Sequence, residues 1–488
     1  MKLVAGIDSS TQSCKVTVRD LDTGATLRAG AAPHPSGTIV DPEAWWAALL
    51  EAVRDAGGLD DVRAVSVSGQ QHTPIFLDEH GVATCASPLW NDLGSHPQTV
   101  ALNAELGREE WIRRTGLPLS LSDTVVKARW LRDVNPDAAA RTAAIAVVHD
   151  WLTWRLRGFG PGTGGIDQLV TDRSEASGTG YWSPRTGEYE RDLLVHALGH
   201  DVVLPTVLGP RGSAGSTGDG LPGIPAGIPI GVGSGDNAAA ALALGLREGD
   251  AVLSLGTSGV VYARSSQPVH DYTGSVCNYA DATGAHLPLV ATLNAARNLQ
   301  AGAELLGCTH DEFAALALAA PPGADGLTLL PYFEGERTPD LPHARGALLG
   351  ATLANFTRAH VARAIVEGTL ASQVAMLEAL DACGVPTSRL LLIGGAAKNP
   401  AVQRILTELV DLPVLVPGPD EYVAKGAAMQ AAVALTDDFP DWPVVLDPLP
   451  PAPPARRILR QHRAAQVAMG YAAASPGDVA EDAARVLR

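Results

Sequence analysis

The chain has 488 residues, 46% of them apolar and 18% charged, enough to build a sizeable core and too apolar for a disordered polymer. Lys and Arg total 36 against 53 Asp and Glu, a formal charge of −17, with no basic run or stripe of stacking aromatics, which excludes a protein that grips nucleic acid by displacing counterions. Two domains are expected from the length, and five scattered cysteines without a CxxC pair (Cys14, Cys85, Cys277, Cys308, Cys383) predict a reducing, cytoplasmic setting. The apolar stretch before Asp8 is too short for a signal peptide, and no stretch approaches a membrane span.

Short strand-like apolar runs alternate with amphipathic helical patterns throughout, which predicts an α/β architecture. The first run ends in a turn of small polar residues, Asp8, Ser9, Ser10, Thr11, Gln12 and Ser13, and a second strand runs from Lys15 to Val18. Such a turn offers backbone N–H groups and short hydroxyls to phosphate oxygens, although it also occurs as a plain turn. Asp41 and Pro42 predict a helix start, with Trp46, Leu50 and Val53 on one stripe and Gly57 and Gly58 at the end. A strand predicted from Val62 to Ser68 ends at Gly69, which sets Gln70, Gln71 and His72 at a strand's carboxyl end, where open α/β sheets bind ligands.

His72 beside two glutamines suits a polyol, while a lone histidine is more often structural. Trp90, Asn91 and Asp92 offer an aromatic face with two polar partners to a sugar, or form a turn. A GxGxxG at Gly160, Gly162 and Gly165 precedes no recognisable helix and reads as loop, which rejects dinucleotide binding. Thr171 to Ser177 reads as readily as a solvated loop. Gly and Pro cluster from Leu204 to Ile230, and Gly209 to Gly223 predicts a loop approaching a domain boundary.

Next comes Val232, Gly233, Ser234, Gly235, Asp236, Asn237 ahead of an Ala-rich helix. Asp236 at a helix N-terminus would be an N-cap or a carboxylate that the helix dipole keeps ionised to take a hydrogen bond from a substrate hydroxyl; the flanking glycines favour a ligand. The stretch Leu253 to Gly259 repeats the first hairpin at an offset of 246 residues, close to half the chain, which suggests related halves. Leu390 to Ile393 predicts a strand, Gly394 and Gly395 a turn, and Pro400 opens a helix with Val402, Ile405, Leu406 and Leu409; this geometry receives a nucleotide or is simply a well-made turn. Pro448 to Pro454 predicts a stiff connector to a basic, Ala-rich terminal helix. There is no Walker A, HExxH or EF-hand sequence.

Taken together, Asp8–Lys15, Gly69–His72, Trp90–Asp92, Thr171–Thr179, Gly233–Asn237, Ser254–Gly259 and Gly394–Pro400 resemble the FGGY carbohydrate kinases, of the actin, Hsp70 and hexokinase type. Gly346, Leu348 and Gly350, followed by His360, Val361, Ala364, Ile365, Val366 and Glu367, are similar to that family's second sequence pattern. The resemblance implies an α/β fold of two actin/hexokinase-like (ribonuclease H-like) domains related by duplication around an interdomain cleft. Residues 1–235 would bind sugar and carry the first phosphate hairpin; 236–440 would carry the second hairpin and the adenosine pocket; 441–488 would be the Pro-rich connector and terminal helix.

The resemblance further implies ATP-dependent phosphorylation of D-xylulose at its 5-hydroxyl, because Gln70–His72 and Leu89–Asp92 are most similar to the members acting on that ketose. Ribulose, gluconate and glycerol are alternative substrates, and a non-catalytic actin-like nucleotide-binding protein is the alternative class. Asp236 matches the catalytic base, and Asp8 matches the acid near Mg²⁺, which both carboxylates would hold through water. Thr11, Gln12, Ser13, Lys15, Gly256, Thr257 and Ser258 match phosphate-facing positions, Gly394, Gly395 and Asn399 the adenosine pocket, and Gln71 and His72 the sugar dipeptide, with Trp90, Asn91 and Asp92 beside it. The partners implied are sugar and ATP, with no nucleic acid or membrane; a homodimer is a family expectation. Ser10 stands where glycine is common, Gln71 where methionine is common, and Ala128 and Ala351 replace larger apolar residues.

Overall fold

A computed structural model describes residues 2–472; the remainder of the expected 441–488 segment, 473–488, lies outside the described residues. The chain forms two compact units, one of Met1–Leu246, Ser265–Pro288 and Pro419–Val444, the other of Arg247–Arg264, Leu289–Gly418 and the chain from Val445 onward.

In the first unit, β1 (Leu3–Ser9), β2 (Ser13–Asp20) and β3 (Thr26–Pro33) form an antiparallel meander. A helix, Pro42–Asp55, leads into β4 (Val62–Gly69), which lies parallel to β1. With β5 (Ser213–Ser216) and β6 (Pro229–Gly231) the order is β5-β6-β4-β1-β2-β3, and β7 (Ser234–Gly235) pairs with the end of β4. All seven residues of β1 are buried, as a strand covered on both faces requires. Asp41 caps the helix by accepting from Glu43 N, as its sequence predicts. Its buried face centres on Trp45, Trp46, Leu49, Ala52 and Val53, whereas Leu50, expected on that stripe, is half-buried. The segment Gly209–Gly223 is not all loop: Ser213–Ser216 extends the sheet edge, and the first unit runs on past it to Leu246.

In the second unit, β8 (Asp250–Leu255) and β9 (Gly259–Ala263) form a hairpin. Residues Leu289–Thr292 of β10 (His286–Thr292) pair antiparallel with β9, and β11 (Arg389–Ile393) runs parallel to β8. β12 (Val414–Pro417) then pairs parallel with β11, and β13 (Leu446–Pro448) antiparallel with β12. The core order β12-β11-β8-β9-β10 reproduces β6-β4-β1-β2-β3 in both order and sense, so the echo in the sequence marks a duplicated fold. The helix Arg457–Ala468 buries Ile458, Ala464 and Ala465 within this unit. Among the described residues no helix is long and apolar enough to cross a membrane, and all five cysteines are free.

Candidate active site

Three strands of the first unit end side by side, because Ser9 pairs with Gly69 and Gly69 with Gly235. The Ser10–Gln12 turn, Gln70–His72 and Asp236 therefore leave the sheet at one carboxyl edge, where this topology presents ligand-binding side chains. Asp8, one residue inside that edge, is 5% exposed and accepts a hydrogen bond from Ser10 Oγ. Burial raises its pKa to about 7, with the charge of Asp236 adding to the rise and the Ser10 hydroxyl opposing it. Ser10 sits at an ordinary negative φ, so the turn does not need the family's glycine, and the hydroxyl supplies a contact that glycine lacks.

Asp236 is the first residue of the helix Asp236–Ala243, whose N-cap is Gly235, so it is not itself the cap. Its Oδ1 accepts from Asn237 N at 2.7 Å and Asn237 Nδ2 at 2.9 Å. Burial nevertheless raises its pKa to about 6, outweighing these bonds. Desolvation outweighs the stabilisation that the helix terminus gives the charged form. A carboxylate near 6 is still ionised at neutral pH and takes a proton more readily than an ordinary one.

Around this edge, Gln71 Nε2 donates to the Ser174 carbonyl at 2.9 Å, and Ser174 Oγ accepts from Gly235 N at 2.9 Å. The stretch Thr171–Ser177 is thus no solvated loop: Asp172, Ser174, Glu175 and Ser177 are buried, and Asp172 caps the short helix Arg173–Ser177 by accepting from Ser174 N and Glu175 N. An Asp followed by Glu three residues later was a sequence signal for that helix start. His72 holds a φ of 71°, rare outside glycine, with Nδ1 2.7 Å from the Gly178 carbonyl and 3.4 Å from Asp123 Oδ1. A non-glycine residue held in this region costs ~1–3 kcal/mol and is characteristic of functional edges.

Trp90 Nε1 donates to Thr11 Oγ1 at 3.0 Å, tying the first hairpin to the Trp90–Asp92 segment. Asn91 is exposed, and Asp92 is committed within the fold, accepting from Thr38 Oγ1 at 2.6 Å and Gly94 N at 2.9 Å. Its carbonyl accepts from Lys127 Nζ at 2.8 Å, and burial lowers that ammonium's pKa to about 8. Lys15 pairs with Glu421 at 2.7 Å across a half-exposed surface, and Gln12 is exposed at the hairpin tip beside the half-buried Ser13. Asp123 and Lys127 escape a reading of the sequence because they lie tens of residues from the groups they serve.

In the second unit the Gly256–Ser258 turn closes with Gly256 N donating to the Ser258 carbonyl at 3.1 Å, and Thr257 is exposed. Gly394 follows β11 at a φ of 91°, and a Cβ there would stand only 2.5 Å from the Leu255 carbonyl oxygen, so hairpin and glycine loop adjoin. Gly395 opens a single 3₁₀ turn, and Asn399 Oδ1 then caps the helix Pro400–Leu409, accepting from Ala401 N at 2.9 Å and Val402 N at 3.2 Å. Glu367 of the second family pattern is buried in the helix Arg358–Ala382, accepting from Arg363 Nε at 2.6 Å and Gly323 N at 2.8 Å, which gives it a structural role.

The family description of FGGY carbohydrate kinases matches twice, its N-terminal domain over residues 3–243 and its C-terminal domain over 251–435. The chain belongs to the FGGY family of carbohydrate kinases. It is 42% identical over 445 residues to a xylulose kinase of Streptomyces coelicolor, covering 89% of each chain. The crystal structure of a xylulose kinase from Bifidobacterium adolescentis superposes with a TM-score of 0.89 at 43% identity, covering 95% of this chain and 99% of that one. A glycerol kinase of Plasmodium falciparum with ADP shares the fold, with a TM-score of 0.80 at 18% identity over 90% of each chain. As an FGGY kinase the protein is a phosphotransferase acting on a carbohydrate alcohol, with ATP as donor.

Proposed function

We propose that the protein transfers the γ-phosphoryl group of ATP to the 5-hydroxyl of D-xylulose, with Asp236 as general base. The observation that carries this reading is the shared edge at Ser9, Gly69 and Gly235, which gathers Asp8, Gln71, His72 and Asp236. The sugar is taken from relatives named xylulose kinase that match most of the chain at 42% identity.

In this mechanism the sugar O–H bond breaks and its proton passes to the Asp236 carboxylate. The oxygen bonds to the γ-phosphorus, the bond from that phosphorus to the β-γ bridging oxygen breaks, and ADP leaves. The transition state is loose, so positioning and electrostatics supply most of the catalysis. Gln71 retains an amide oxygen to accept from a sugar hydroxyl while its nitrogen is held by Ser174; His72, Trp90 and Asn91 flank it, and Asp92 fixes the segment that presents the indole. The Ser10–Ser13 and Gly256–Ser258 turns meet phosphate with backbone N–H groups and hydroxyls, with Thr11, Gln12 and Lys15 alongside. Gly394, Gly395 and Asn399 take the adenosine.

Among the described residues no group of three or more His, Cys, Asp or Glu side chains is gathered for a metal. Asp8 and Asp236 are two carboxylates that burial holds above their usual range, Asp8 further raised by the charge of Asp236, a set that suits Mg²⁺, which binds through few carboxylates together with water and phosphate. These two would hold Mg²⁺ through water, and the ion would supply neutralising charge to the transferring phosphates. In this reading residues 1–235 carry the sugar groups and first hairpin, 236–440 the second hairpin and adenosine groups, and a Pro-rich connector and helix follow from residue 441. A cytoplasmic setting and a homodimer complete the proposal.

Coupled assay of ADP release with D-xylulose, ribulose, gluconate and glycerol at equal concentration tests the substrate. D-xylulose should give the highest kcat/KM; equal or better turnover of another substrate removes the xylulose assignment.

A further inference from the structure

His149 is the second residue of the helix Val148–Leu156 and has no solvent exposure. Both of its ring nitrogens face acceptors: Nδ1 lies 2.9 Å from Asp150 Oδ1, and Nε2 lies 3.0 Å from the Val232 carbonyl oxygen. Asp150 is itself fixed, since its other oxygen accepts from Val147 N at 3.0 Å. The carbonyl that His149 holds precedes Gly233, which has a φ of 76° and sits so tightly that a Cβ would overlap Val67 O and His149 Nε2. Three residues on is Asp236, and the intervening β7 is pinned once more where Gly235 N donates to Ser174 Oγ. The strand that delivers the base is therefore clamped at two points, and among the described residues His149 is the one side chain hydrogen-bonded to Val232.

We propose that His149 is a positioning residue for phosphoryl transfer: donating from both nitrogens, it locks the Val232–Gly233 backbone to the Asp150-anchored helix and so fixes the approach of Asp236. The assignment rests on Asp236 being the base. A neutral imidazole has a single N–H and would leave one partner facing a lone pair, so the ring satisfies both only when doubly protonated. Burial opposes that form, yet the carboxylates of Asp150 and Asp172 prevail and the ring's pKa lies above its ordinary value. The arrangement parallels a carboxylate orienting a histidine, with the ring here aimed at backbone and not at substrate.

The test compares two amides. In His149→Gln the side-chain nitrogen reaches the place of Nε2 and still donates to Val232 O; in His149→Asn it reaches only the place of Nδ1; His149→Leu has neither. With D-xylulose and ATP, the Asn and Leu variants should lose about 10²-fold in kcat, as misplacement of a reacting group by ~1 Å does, with little change in KM, while Gln stays within about tenfold of the parent. Peptide-level amide exchange over 231–237 should quicken in the Asn and Leu variants and stay near the parent in Gln; this arm reads the loop directly, so it fails or succeeds independently of Asp236's role. Equal kcat in the Gln and Asn variants, or unchanged exchange in Asn, overturns the proposal. Should Asn and Leu not fold, a folded Gln variant with a kcat loss beyond about 10²-fold overturns it, and one within about tenfold supports it.

Discussion

Asp236 and Asp8 are acids that the fold makes weaker, and each has a measurable signature. The base must be ionised to act, and burial holds Asp236 at about 6, so kcat/KM for the sugar should rise with pH through an acid limb near pH 6. A limb near pH 4 would mean that the carboxyl is solvated in the working enzyme. Asp8 binds its proton more tightly folded than unfolded, since its value is raised to about 7. Protonation therefore favours the native state, and the stability it confers falls as pH rises from about 4 through 7, the reverse of a salt-bridged aspartate. Metal-free Asp8→Asn should be more stable than the parent at pH 8, by on the order of 2 kcal/mol, with the gap narrowing at pH 5, while losing activity. Thermal melts at the two pH values check this, and a parent more stable than the variant at pH 8 would contradict it.

At the scale of elements, the two hairpins and the turn after β11 were legible because each is written in a few consecutive residues: a short apolar strand, small hydroxyls or glycines, then a capping residue. At Asn399 a cap and a ligand contact need not exclude one another, since only its Oδ1 is engaged in capping the helix. Asn399→Ala should cost about 1 kcal/mol of stability through the lost cap. Asn399→Asp keeps the cap and should hold the melting temperature while raising KM for ATP; an unchanged KM would leave Asn399 as a cap alone. Thr171–Ser177 reads as loop or site because its polarity suits both; in the fold the Ser174 carbonyl accepts from Gln71, the Ser174 hydroxyl accepts from Gly235 N, and the Asp172 carboxylate caps the helix start. The first helix starts where the sequence predicts, and Trp46 and Val53 of the expected stripe are buried, but Trp45, Leu49 and Ala52 complete the core face while Leu50 is half-buried.

At the scale of the whole molecule, an offset in the sequence predicted the duplication, and matching strand orders bear it out. What sequence could not convey is how distant segments complete each element. The segment Pro419–Val444 returns to the first unit, where Glu421 meets Lys15 and Asp420 meets Arg19, about four hundred positions away by numbering. The site was legible as a set of residue types but not as a geometry, because strand register alone brings Ser9, Gly69 and Gly235 into one row. The most direct test of that geometry is Asp236→Ala, assayed for xylulose phosphorylation and, by calorimetry, for ATP binding. A loss of about 10³-fold in kcat with ATP affinity kept is the predicted result; phosphorylation within tenfold of the parent would contradict the assignment of Asp236 as the base.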